Sequence, residues 1–547
     1  MPLDREVRSG MAIPQATPSA SRPKHGSKQG RRPKHWHLWK DKHYRWVPDG
    51  ECGWRVQSYI VRHKHKPPRH HHRGPGPRPA DRCAPKTFAG IAPPPNPDPR
   101  PAGTYQGPFG AAQATRLLER AGFGAVPGQA EQLATLGLLG AVQSLTRPSG
   151  GATLHGPAPV DSGGNPIAPA DAWGHDHLWF LDRMVRSDQP LVERMALVFH
   201  DWFATSNAGV SKQQQMIDQS NLFRSACFGS FLDIFKAVTA DPAMLQWLNG
   251  AENTKQAPNE NYGREMMELF SLGADRGAYS EDDIREQARA LTGWRYDWSG
   301  ELGAYNFRFD PKRHDTGMKT VFGQKGNWGW EDSCRLCVEN PLHPSFFVEK
   351  LWSCFVPQPP AGSVADGLMR TYRDSGWAIR PVLEAILSGP DLYEGPPMVK
   401  PPVVQLAGML RSLGRGIDTE AWTWLCEQAG QMLFWPPNVS GWDDTRWLDT
   451  SRLRARWNIV DYVLDPIAVD AWGGSYSTTE TAQEALDRAT GAWGSPALRD
   501  EHRAELLDFA QRSEKLAVAG WQQGPYRAMR QNALLQLIGV SPDLILQ

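Results

Sequence analysis

The composition of this chain breaks near residue 107, and the break decides which part of it can fold. Residues 1–100 carry 21 lysines and arginines against 7 acidic residues, a balance of +14, while the rest carries 39 against 52, a balance of −13. Nine of the 16 histidines lie in that first stretch, in runs such as Lys64-His65-Lys66-Pro67-Pro68-Arg69-His70-His71-His72-Arg73. A segment of this kind buries too little apolar surface to offset its ordering entropy. Residues 1–107 are therefore expected to be a basic, mostly disordered tail, and 108–547 a single large domain. Inside the tail, 44–50 and 54–61 alternate apolar and polar residues around Asp49-Gly50, which predicts a small hairpin.

The tail's cations, with Trp36, Trp39 and Trp46 among them, suit an anionic polymer as partner. His35, His37, His63, His65 and His70 to His72 suit loose capture of a metal. The plain alternative is a solvated linker. A secretory signal needs an apolar core of about 7–15 residues near the start. Here Arg31-Arg32 leads into Pro33-Lys34-His35 instead, so no signal of that type is expected. No stretch approaches the roughly 18 apolar residues of a spanning helix, so no transmembrane segment is expected either.

From residue 110 the apolar spacing is helical almost throughout. Ala111 to Ala121 predicts an amphipathic helix stopped by Gly122. Asp188 as cap and Pro190 in the first turn open another, with Leu191, Met195, Val198 and Trp202 on one stripe. Asn259 caps a helix running to about Leu272, and Ser280 with Asp283 starts the next. Between about 300 and 325 the pattern changes to two short strands, 305–309 and 319–323, joined by the turn around His314. Helices follow over 331–356, 362–374, 379–388, 401–415 and 418–433, and three more over 479–547. The fold expected is mainly α, with a short β-hairpin insert.

Seven cysteines are too few and too odd in number for a disulfide scaffold. Cys334 and Cys337 share a helix face, yet no second pair completes four metal ligands. They read best as small core residues. The chain has no H-E-x-x-H, G-x-S-x-G, P-loop or G-x-G-x-x-G sequence, which points away from zincin, α/β-hydrolase, phosphoryl-transfer and Rossmann chemistry. No nucleic-acid motif is present.

The remaining chemistry sits on a few side chains. Glu260, Arg264 and Glu268 are spaced for an i, i+4, i+8 ion-pair ladder, supported by Asn261. Glu265 lies at the edge of the apolar face of Tyr262, Met266, Leu269 and Phe270, where a carboxylate must be paired, metal-bound or protonated. With His200, His314 and Asp315 it makes a candidate catalytic set, and Glu265, His200 and His314 suit a divalent metal that activates water. The structural alternative is a buried network of Arg264, Glu265 and the His314-Asp315 turn. His175-Asp176-His177 reads as a helix entry. Of 23 tryptophans, Trp294, Trp328, Trp435 and Trp442 flank irregular loops and are candidates for stacking on a carbohydrate or similar polymer, with core packing as the alternative.

Several of these stretches resemble a bacterial family known as domain of unknown function 1800. They are Arg116-Leu117-Leu118-Glu119-Arg120-Ala121-Gly122-Phe123-Gly124, His200-Asp201-Trp202-Phe203-Ala204-Thr205-Ser206, Asn259-Glu260-Asn261-Tyr262-Gly263-Arg264-Glu265-Met266-Met267-Glu268-Leu269-Phe270, Ala288-Arg289-Ala290-Leu291-Thr292-Gly293-Trp294, His314-Asp315-Thr316-Gly317 and Pro436-Pro437-Asn438-Val439-Ser440-Gly441-Trp442. The resemblance implies a largely helical domain over about 108–547 and an envelope or extracellular setting, but no activity. Members often read His-x-His-Phe where this chain has His200-Asp201-Trp202-Phe203, and some carry His at the position of Phe270. Two functions follow as expectations: a cell-envelope binding or assembly protein with an aromatic cleft, or a metal-dependent hydrolase.

Overall fold

The structure, a computed structural model, describes residues 103–547 and, before them, two strands. Those strands, Lys40–Pro48 and Trp54–Arg62, pair antiparallel with Pro48 opposite Trp54 and Lys40 opposite Arg62. The hairpin expected in the tail is therefore present and starts earlier than its alternating pattern. The disorder expected for the rest of the tail lies outside the described residues.

The remaining chain is helical, and its expected starts and stops are mostly where local chemistry puts them. Asn259 accepts the Asn261 N–H, and Ser280 and Asp283 form a reciprocal capping box on Glu281–Ala290. Asp188 does not cap Pro190–Trp202. Gln189 stands at that position, and the Asp188 carboxylate instead accepts the Thr153 N–H at 2.8 Å. The expected 331–356 helix is two, Trp330–Glu339 and His343–Ser353. Pro341 and Pro344 explain the break, since proline cannot continue a helix from within. Three helices close the chain, Ala482–Ala492, Asp500–Lys515 and Gln523–Gly539, followed by one short turn of helix, Pro542–Ile545.

The insert contains two hairpins rather than one. Gly303–Phe309 pairs with Trp294–Ser299, and Lys319–Val321 pairs with Gln324–Gly326. The expected strands belong to different hairpins, because each finds a nearer partner across a short turn than across the His314 loop.

Pro190–Trp202 runs through the centre. Its stripe of Leu191, Met195, Val198 and Trp202 is buried as expected, but Arg194 on the flank of the stripe and Glu193 and His200 on the other side are buried too. Around it the core is an aromatic lattice. Trp202 and Phe203 meet Phe231, Phe270 and Phe347, and Phe347 stacks on Tyr372 at 3.9 Å between centroids. Much of the aromatic content is thus spent on packing, where each ring buries a large apolar area. Cys334 and Cys337 lie in this core as free thiols, pushed up by burial, Cys334 to about 12. We expect both to resist alkylation in the native protein and to react on unfolding, as mass spectrometry of labelled peptides would show. Among the described residues no helix is long and apolar enough to cross a membrane.

Candidate functional site

Two groups of motif residues assemble around the centre. In the first, the end of Pro190–Trp202 holds the proline-rich loop at 432–442. His200 Nε2 accepts the Phe434 N–H at 2.9 Å, and Asp201 Oδ1 accepts the Trp442 N–H at 2.9 Å. One helix away, His177 Nδ1 accepts the Leu433 N–H at 2.9 Å. The loop backbone has no strand or helix of its own here, so side chains supply the acceptors its buried N–H groups require. Burial pushes both His177 and His200 down to about 3, which keeps them neutral and able to accept. Burial pushes Asp201 up to about 6.

Gly441 completes the loop. Its φ is +86°, and a Cβ there would collide with the Asp201 carboxylate. Gly441→Ala is expected to destabilise the protein by at least about 2 kcal/mol, from left-handed strain plus the clash. Urea unfolding checks this.

The second group joins three more motifs. Asn253 donates from Nδ2 to the Ala288 carbonyl at 2.8 Å and accepts the Asn259 N–H at 2.9 Å. Gly263 brings its helix against Ile284 and Ala288, where a Cβ would sit 3.4 Å from the Ala288 nitrogen. The 314–317 turn docks on the same helix end. Arg289 Nε meets Asp315 Oδ2 at 2.8 Å, the Thr292 hydroxyl accepts the Asp315 N–H at 2.8 Å, and His314 Nδ1 lies 2.8 Å from the Thr292 carbonyl. Arg289 holds the Asp315 carboxyl below the usual carboxylate range.

The helix that begins at Asn259 links the groups. It is α only over Glu260–Glu265 and continues as a π-helix over Met266–Ser271, where a single helix to Leu272 was expected. The wider turn leaves carbonyls for side chains to take. Trp202 Nε1 donates to Phe270 O at 3.0 Å, Lys350 Nζ to Leu269 O at 3.1 Å, and the Ser271 hydroxyl to Met266 O at 2.6 Å. Such π segments are rare and often sit at functional sites. The change in pitch also undoes the expected ladder. Arg264 meets Glu281 at 2.8 Å and Glu260 at 3.5 Å, but forms no ion pair with Glu268. Asn261 is exposed and lies 3.4 Å from Asn249.

Glu265 is half-buried with no hydrogen-bond partner among the described residues, and burial, then Glu268, raises its carboxyl. Beside it a pocket of about 430 Å³ is lined by Arg264, Glu268, Asp275, Tyr279 and Glu281 among others. Burial, then Glu268, pushes the Tyr279 hydroxyl up to about 12. The expected set does not gather at one point. His200 belongs to the loop group, His314 and Asp315 to the turn group, and Glu265 to neither, lying within reach of Glu268. Among the described residues no three His, Cys, Asp or Glu side chains form a group able to hold a metal ion. The alternative of one buried network with Arg264 is likewise replaced by two separate pairings.

The four tryptophans are placed differently from a shared platform. Trp442 is buried edge-on to His200 at 5.3 Å, and Trp294 packs edge-on against Trp330 and Phe309 at 5.4 and 5.7 Å. Trp328 carries Arg335 over its ring at 5.5 Å, and Trp435 is half-buried against the core. No ring contact among the described residues joins the two pairs.

A family model described as protein of unknown function (DUF1800) matches residues 116–546. The chain belongs to that family. No curated protein and no solved structure matches it. The match spans both groups, so the motifs that carry the family resemblance are largely those that tie the loop, the turn and the π-helix to the centre. Sequence reasoning missed Asp201, Lys350 and Arg194. Charged residues at 194 and 201, two turns apart on a largely apolar helix, were the available signal.

Proposed function

We propose that this DUF1800 member is a cell-envelope-associated binding or assembly protein whose exposed aromatic side chains stack on a carbohydrate polymer. Trp298 carries the reading. It is 63% exposed on the Trp294–Ser299 strand, with Leu302 and Tyr305 also exposed on the same hairpin. Next to Trp298 in the strand, and on its other face, Asp297 accepts from Arg308 at 2.9 Å and from Asn306 at 2.7 Å. An open indole on a hairpin that also carries polar side chains suits a sugar, which offers one apolar face and a rim of hydroxyls. This moves the stacking role from Trp294, Trp328, Trp435 and Trp442, whose rings are engaged in packing, to Trp298. The basic tail adds an anionic polymer as a second point of attachment.

Co-sedimentation of the full chain with insoluble polysaccharides tests this. We expect saturable binding to at least one polymer, weakened about tenfold by Trp298→Ala with the fold intact. Equal binding by the variant, or none to any polymer, contradicts the reading. The half-buried, unpartnered Glu265 beside Glu268 supports a second reading, a hydrolase. On that reading soluble fragments would appear in the same assay and vanish in Glu265→Gln.

A further inference from the structure

Six arginines are buried among the described residues. Five reach a partner. Arg120 donates to the Phe355 and Pro396 carbonyls, Arg411 to Val185 O at 2.9 Å, Arg456 to Lys400 O at 2.8 Å, and Arg527 and Arg530 both to Glu480 O at 2.9 Å. Arg194 is the exception. It is 3% exposed, its Nη1 is fully buried, and its guanidinium has no hydrogen-bond or ion-pair partner among the described residues.

Charges of both signs surround it, and Asp201 and Asp444 act on the neighbouring Cys354. Arg120 is close enough for the two guanidinium groups to repel. Arg116 spends its donors on Gly395 and Pro396 carbonyls, and Glu119 pairs with Lys400 at 3.0 Å. The other group within electrostatic reach of Arg194 is Cys354, whose Sγ lies 3.2 Å from Lys350 O and which is half-buried. Phe355, whose carbonyl Arg120 takes, is the next residue, so Cys354 lies beside both arginines. A buried guanidinium without a counter-charge is costly, by several times the loss of an ordinary hydrogen bond. Its planar fork matches the oxygens of a phosphate, sulfate or carboxylate.

We propose that Arg194, backed by Arg120, forms a binding site for a small oxyanion, with the half-buried Cys354 beside it. The site shares no residue with the Trp298 hairpin or with the pocket lined by Arg264 and Glu268. It lies on the central helix, about two turns before Asp201.

The test is protection of Cys354 from alkylation in the full-length protein, followed by mass spectrometry of the labelled peptide. Burial pushes the Cys354 thiol up to about 12, so labelling with a maleimide is run at mildly alkaline pH. Arg194, pushed down to about 10 by burial, keeps its charge there. Inorganic phosphate is the probe, with sulfate and acetate compared at equal concentration to rank the oxyanions, and sodium chloride at matched ionic strength as control. We expect phosphate or sulfate to slow labelling of Cys354 at least fivefold, chloride to leave it unchanged, and Arg194→Met to lose the protection. Arg194→Gln, which keeps hydrogen-bonding groups without the charge, carries the same expectation should the methionine variant not fold. Labelling that ignores all three oxyanions, protection equalled by chloride, or protection that survives removal of the Arg194 charge would each overturn the site.

Discussion

His200→Ala is expected to destabilise the protein by about 3 kcal/mol. The imidazole is 1% exposed and wedged among Phe180, Phe434 and Trp442, with ring centroids 6.4, 5.1 and 5.3 Å away. Truncation leaves the Phe434 N–H without an acceptor, worth about 1–3 kcal/mol, and opens a cavity that adds to the loss. His155, whose side chain is 55% exposed, provides the control. Its alanine variant is expected within about 0.5 kcal/mol of the native protein. Urea unfolding of the two variants makes the comparison. If His200→Ala unfolds like His155→Ala, the loop does not depend on this histidine.

The second large effect is a pH-dependent gain in Asp201→Asn. Asparagine keeps an oxygen to accept the Trp442 N–H and removes the buried charge. The native carboxyl titrates at about 6 in the folded protein and, at the ordinary value of 3.8, in the unfolded chain. The folded state therefore holds the proton more tightly, so protonation stabilises it. That contribution is fully present below pH 3.8 and is lost as pH rises towards 6. At pH 7 the charged form burdens the fold, and the variant should be more stable than the native protein by about 2–3 kcal/mol, since each tenfold difference in proton affinity is worth about 1.4 kcal/mol. The gain should shrink through pH 6 to 4 and vanish near pH 3.8. Buried His177 and His200 work in the other direction. Their depressed values mean that stability is lost as pH falls from 6.5 towards 3. Their effect is common to both proteins and cancels in the difference. A gain that does not depend on pH would mean that Asp201 is not buried as described.

Local signals carry much of the fold. Asn259, Ser280 with Asp283, and the Leu191 to Trp202 stripe act through neighbours three or four residues away, and such relations are written in the sequence. The differences come from distance. Asp188 reads as a cap because its nearest backbone donors are local, whereas its partner Thr153 lies 35 residues away. The π-helix is invisible in the sequence because its carbonyls are taken by Trp202 and Lys350, from other helices. His200 reads as a catalytic or metal-ligand candidate because one helix alone does not reveal that its far side meets the 432–442 loop. The candidate site divides in the same way. Glu265 lies at the edge of an apolar face, as its helical position implies. The convergence of Glu265 with His200 and His314 depends on three separate elements, and the fold pairs each with something else.

His200 and Asp201 serve as the acceptors that hold the proline-rich loop to the central helix. Hydrogen exchange read by mass spectrometry on peptides covering 430–442 tests this role most directly. In the native protein the Phe434 and Trp442 amides should exchange slowly. His200→Ala should speed exchange at Phe434, and Asp201→Ala at Trp442, each at least about tenfold, with peptides from Asp500–Lys515 unchanged. Loop amides that exchange as fast in the native protein as in the variants would contradict this role.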